Sequence, residues 1–74
     1  MYKMSNNITD ELFESEHLFA ILSALEIELR ADGKIPEDYG YEDWSEQDRE
    51  IRRYLAKGWH WYTPNEVRFE IWKE

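Results

Sequence analysis

Two short patterns in this chain have the residue types and spacing for chemistry. Glu14 and His17 are spaced Glu-x-x-His, the way one helix supplies a carboxylate and an imidazole to a di-iron site. Such a site needs a second copy of the pair and further carboxylates on facing helices. The other histidine, His60, has no glutamate three residues before it. The stretch Asp32-Gly33-Lys34-Ile35 has the residue types found in the middle of a calcium-binding helix-loop-helix. Aligned on that motif, Glu28 takes the first ligand position, Arg30 the third and Tyr39 the last. A cation at a ligand position and a missing terminal carboxylate defeat the site. The chain has no cysteine, which excludes thiolate metal sites and a disulfide framework. It has no glycine-rich phosphate loop, and its spacing suggests no Ser–His or Cys–His pairing. The expectation is a non-enzymatic protein with no cofactor and no metal.

What remains is a concentration of acids and rings. From Glu37 to Glu50 the chain carries Glu37, Asp38, Glu42, Asp43, Glu46, Asp48 and Glu50 against Arg49 alone. Tyr39, Tyr41 and Trp44 interleave with the acids, and Trp59 and Trp61 follow. Clustered carboxylates repel one another, a load that a basic partner would cancel. Aromatic side chains supply the anchors that dominate binding energy at interfaces. The partner-binding residues expected on this ground are Glu37, Asp38, Tyr39, Tyr41, Glu42, Asp43, Trp44, Glu46, Trp59 and Trp61. The competing expectation is a solvated loop whose rings pack onto a helix. With 17 acidic residues against 9 basic ones and a formal charge of −8, the chain is not expected to bind nucleic acid directly, since phosphate neutralisation needs clustered Lys and Arg. A basic protein is the expected partner, with DNA mimicry as a special case.

These residues need elements to position them. Leu18, Ile21, Leu22, Leu25 and Leu29 recur at spacings of three and four, the stripe of an amphipathic helix. Thr9 as N-cap, with Asp10 and Glu11 in the first turn, predicts a helix from about residue 10 to 31, ended by Gly33. Met1 to Ile8 shows no period and is expected to be frayed. Lys34 to Asp43 reads as a loop around Pro36 and Gly40. Ser45 and Asp48 form a modified capping box before a second helix, 46–57, closed by Gly58. Val67, Phe69 and Ile71 alternate with Arg68 and Glu70. That alternation predicts a C-terminal hairpin turning at Pro64-Asn65, with Trp61 opposite Arg68.

The fold expected is therefore α+β and mainly helical: a long N-terminal helix, a shorter second helix and a hairpin packed on the first. An all-α three-helix bundle is the alternative, because Thr63-Pro64-Asn65-Glu66 also reads as a helix start. At 74 residues the chain is one small domain. It has no membrane-length apolar run and no signal pattern, and the expected location is the cytoplasm. Leu12 and Phe19, seven apart on the polar side of the long helix, are the expected contacts if the chain is instead a structural homodimer. The general profile resembles that of small stand-alone regulators, including phage-encoded inhibitors of host enzymes and small antitoxins.

Overall fold

The computed structural model of this protein describes residues 1–31, 41–63 and 68–74, and for Tyr41 and Glu42 the backbone alone. Its elements are β1 (Tyr2–Asn6), β2 (Leu12–Ser15), α1 (Leu18–Ala31), α2 (Tyr41–Ala56), β3 (Trp61–Tyr62) and β4 (Phe69–Lys73). The strands form one antiparallel sheet in the order β2-β1-β4-β3. The fold is α+β, and the all-α alternative does not hold. The Glu37–Gly40 part of the acidic segment, the helix stop at Gly33 and the turn at Pro64-Asn65 lie outside the described residues.

The first correction falls on the N-terminus. Residues 2–6 form a central strand instead of a frayed tail, paired on one side with β2 and on the other with β4. The two ends of the chain meet there: the Met1 amine donates to the Glu74 carbonyl at 3.1 Å, and the Glu74 N–H donates to the Met1 carbonyl at 2.9 Å. Strand alternation sorts the side chains, with Met4 and Asn6 buried and Lys3 and Ser5 on the other face. Five residues are too few for that period to stand out in a sequence.

The second correction shortens the long helix to 14 residues. Asp10 has φ 63°, a left-handed conformation that no helix start accommodates and that Asp tolerates better than most residues. It ends the four-residue loop Asn7–Asp10 of the β1–β2 hairpin. Asn6 organises that loop from within: it is 3% exposed, and its Oδ1 accepts the N–H groups of Ile8 at 2.9 Å and Thr9 at 3.2 Å. Leu12 and Phe13 therefore lie on a strand. After it, His17 N–H donates to the Ser15 hydroxyl at 3.1 Å and α1 begins. The leucine stripe is as expected: Ile21 and Leu25 are buried, with Leu18, Leu22 and Leu29 packed against the core.

Helix α2 starts at Tyr41, so Ser45 is inside the helix and caps nothing. Its end follows the expectation. Gly58 takes φ 76°, the Trp59 N–H donates to the Tyr54 carbonyl at 2.9 Å, and the Gly58 N–H donates to the Leu55 carbonyl at 3.0 Å. This is a Schellman motif, completed by the edge-on contact of the Trp59 and Tyr54 rings at 5.6 Å. The C-terminal hairpin exists, but its register places Trp61 opposite Ile71 and Tyr62 opposite Glu70. Trp61 is thus not across from Arg68. Both helices cover the same face of the sheet, α1 over β1 and β2, α2 over β3 and β4. The C-terminal hairpin accordingly packs under α2, not α1. Between the layers Met4, Ile21, Leu25, Ile51, Phe69 and Ile71 are at most 2% exposed.

Candidate partner-binding surface

The structure separates the aromatic and acidic residues that the sequence groups together. Asp43 and Glu46 are exposed on the first turns of α2, and Trp44 between them is half-buried. The Arg30 guanidinium sits 5.6 Å from the centre of the Trp44 ring, beside a groove of about 350 Å³ between the helices that Phe19, Leu22 and Arg52 also line. Trp59 lies beyond the other end of α2, against Tyr54, which is about 17 Å along the axis from Asp43 at 1.5 Å per residue. It is 53% exposed, with the Lys57 ammonium 4.7 Å above its ring. Trp61 is 1% exposed and belongs to the core, so it presents nothing to a partner. Glu37, Asp38 and Tyr39 and the side chains of Tyr41 and Glu42 lie outside the described residues. Leu12 and Phe19 are 52% and 65% exposed, but one is on β2 and the other on α1, so they share no helix face.

A different cluster forms on the face of the sheet opposite the helices. The ladders set Glu14 beside Lys3 beside Trp72, and Leu12 beside Ser5 beside Glu70 beside Tyr62. His60, just before β3, closes over this surface. Its Nδ1 bonds the Glu70 carboxylate, and its ring stacks on Trp72 at 5.3 Å with an 11° tilt. The Tyr62 hydroxyl donates to the same carboxylate at 3.3 Å. Lys3 reaches Glu74 at 2.9 Å and Glu14 at 4.0 Å, while the Trp72 indole N–H donates to Glu74 at 3.3 Å.

The electrostatics follow from these contacts. The Glu74 hydrogen bond, aided by the nearby charges of Glu74 and Glu14, raises the Lys3 ammonium above its ordinary 10.5. The hydrogen bond from Lys3, then that from Trp72, lowers the Glu74 carboxyl below 4.5. The Glu70 charge, followed by desolvation and the hydrogen bond itself, raises the Tyr62 phenol above 10.0.

A histidine–carboxylate pair makes up two of the three members of a nucleophilic triad. The hydroxyl opposite Glu70, that of Ser5, donates instead to Asn7 Oδ1 at 2.9 Å. Among the described residues no three His, Asp or Glu side chains gather as a metal site, and no helix is long and apolar enough to cross a membrane. Sequence reasoning missed this surface because its members come from four strands and from both ends of the chain. The one available signal was the phase of β4, where Glu70 and Trp72 alternate against buried Phe69 and Ile71. No family model, curated protein or solved structure matches the chain.

Proposed function

We propose that this protein is a non-enzymatic binding module that regulates or inhibits a basic partner protein in the cytoplasm. The observation that supports this reading best is the sheet face that neither helix covers. Tyr62 is 45% and Leu12 52% exposed there, beside the stacked pair of His60 and Trp72. Rings already held by neighbours lose little freedom on docking, and Trp and Tyr are the usual anchors of an interface. The formal charge of −8 sets the sign of the partner and speeds encounter. Asp43 and Glu46, exposed on α2, add to that field from the other layer. A DNA-mimic mode is one version of this reading, and in it duplex DNA competes for the partner.

The test is retention from a lysate of the source cell on immobilised protein, comparing the parent with a Tyr62→Ala, Trp72→Ala double variant. Basic proteins should be retained by the parent, released by salt and lost from the variant. Equal retention by both would contradict the reading.

A second reading, a structural homo-oligomer, has one observation in its favour. Phe19 and Ile27 on α1 are 65% and 64% exposed and lie about 80° apart around the helix at 3.6 residues per turn. Light scattering decides it. A stable dimer that Phe19→Ser abolishes supports self-association, and a monomer at high concentration excludes it.

A further inference from the structure

We infer that β2 is a docking edge for an extended, basic segment of a partner protein, which adds to the sheet as a fifth, antiparallel strand. The inference rests on the protein-binding reading above and specifies its mode. Among the described residues β2 is an outermost strand, and the opposite edge, β3, has only two residues. The Asn6 N–H donates to the Glu11 carbonyl at 2.9 Å, which fixes the phase of the β1–β2 ladder. Phe13 and Ser15, opposite Met4 and Tyr2, then turn their backbone groups toward β1. Leu12 and Glu14, one step out of phase, turn theirs outward, two donors and two acceptors on the open edge.

Charge selects the occupant. Asp10, Glu11, Glu14 and Glu16 are all exposed along this edge, and between Lys3 and Arg30 the chain contains no Lys or Arg. A second copy paired at β2 would crowd eight acids, four from each chain, onto one ladder. The same acids that exclude self-pairing favour a cationic strand. The order of the side chains specifies its pattern. A strand running antiparallel to β2 meets Glu14 before Leu12, and both side chains lie on the uncovered face. The segment should therefore read basic, any residue, apolar, with its main chain bonded to Leu12 and Glu14.

The probe is a capped peptide, Thr-Arg-Thr-Lys-Thr-Val-Thr, titrated into nitrogen-15-labelled protein, with a control in which Arg and Lys are Glu. The basic peptide should slow amide exchange at Leu12 and Glu14 on the order of tenfold or more, and the acidic one should not. Leu12→Pro removes an outward donor that the β1 ladder does not use and should weaken binding on the order of tenfold. Glu14→Lys, on an exposed side chain, keeps the test valid if the proline variant misfolds; it should reverse the preference between the two peptides. Perturbation confined to Tyr62 and Trp72 and insensitive to both variants would overturn the edge while leaving the protein-binding reading intact. Equal binding of both peptides, no binding, or a dimer paired through β2 would also overturn it. Retention of no basic protein by the parent in the lysate test instead removes the protein-binding reading on which the edge depends.

Discussion

Two tryptophans show how residue type and residue role come apart. Trp61 and Trp72 are both strand residues near the C-terminus, yet Trp61 faces the helices and Trp72 the open side. Trp61→Ala should cost about 3–5 kcal/mol, the range for emptying a large core site, and leave a domain this small largely unfolded. Trp72→Ala should change the thermal midpoint little and weaken partner binding. Circular dichroism melts of the two variants check this; equal destabilisation would show that the open face is a second core. The ion pairs around the chain ends predict a pH response. Glu74 is lowered in the folded state, so its contribution is present above its ordinary 4.5 and lost as pH falls through the folded value. Lys3 is raised, so its contribution is fully present below 10.5 and lost as pH rises through the folded value. Tyr62 is raised because Glu70 opposes the phenolate, so its ionisation also lowers stability above pH 10.0. Melting midpoints across pH should fall at both extremes, and Lys3→Met should flatten the acid limb.

The elements differ in how visible they are in the sequence, and the reason is length. The leucine stripe of α1 and the Gly58 stop of α2 are read correctly because a helix repeats its pattern over several turns. The strands are shorter than the window in which alternation stands out. Leu12 to Ser15 also suits a helix, and only the pairing with β1 and the left-handed Asp10 decide for a strand. The alternation from Val67 to Ile71 makes the C-terminal hairpin legible, but the register observed, with Tyr62 opposite Glu70, is not the one that a turn at Pro64-Asn65 predicts. The residues expected to bind a partner are not held together by the fold, because closeness in sequence does not survive a helix: Asp43 and Trp59 end up at opposite ends of α2, and Trp61 is in the core. A truncation tests the revised N-terminus. Removing residues 1–6 would be harmless to a frayed tail; it should abolish cooperative unfolding here, because β1 joins both halves of the sheet. A truncated chain that melts like the parent would contradict the topology.

At the scale of the whole molecule the protein has two unlike sides. Two helices cover one face of the sheet and bury its apolar residues, while the other face keeps ordered rings and ion pairs in reach of a partner. The charge of −8 surrounds both sides and acts over about 8 Å at physiological ionic strength. In the proposed mode of binding, acids bring a basic partner in and the rings of the open face hold it. The most direct test of that mode is the binding kinetics of the partner retained from lysate, measured across ionic strength for the parent and for Trp72→Ala. The association rate should fall steeply with salt for both proteins, and the dissociation rate should rise on the order of tenfold for Trp72→Ala. An association rate indifferent to salt, together with an unchanged dissociation rate, would contradict the account.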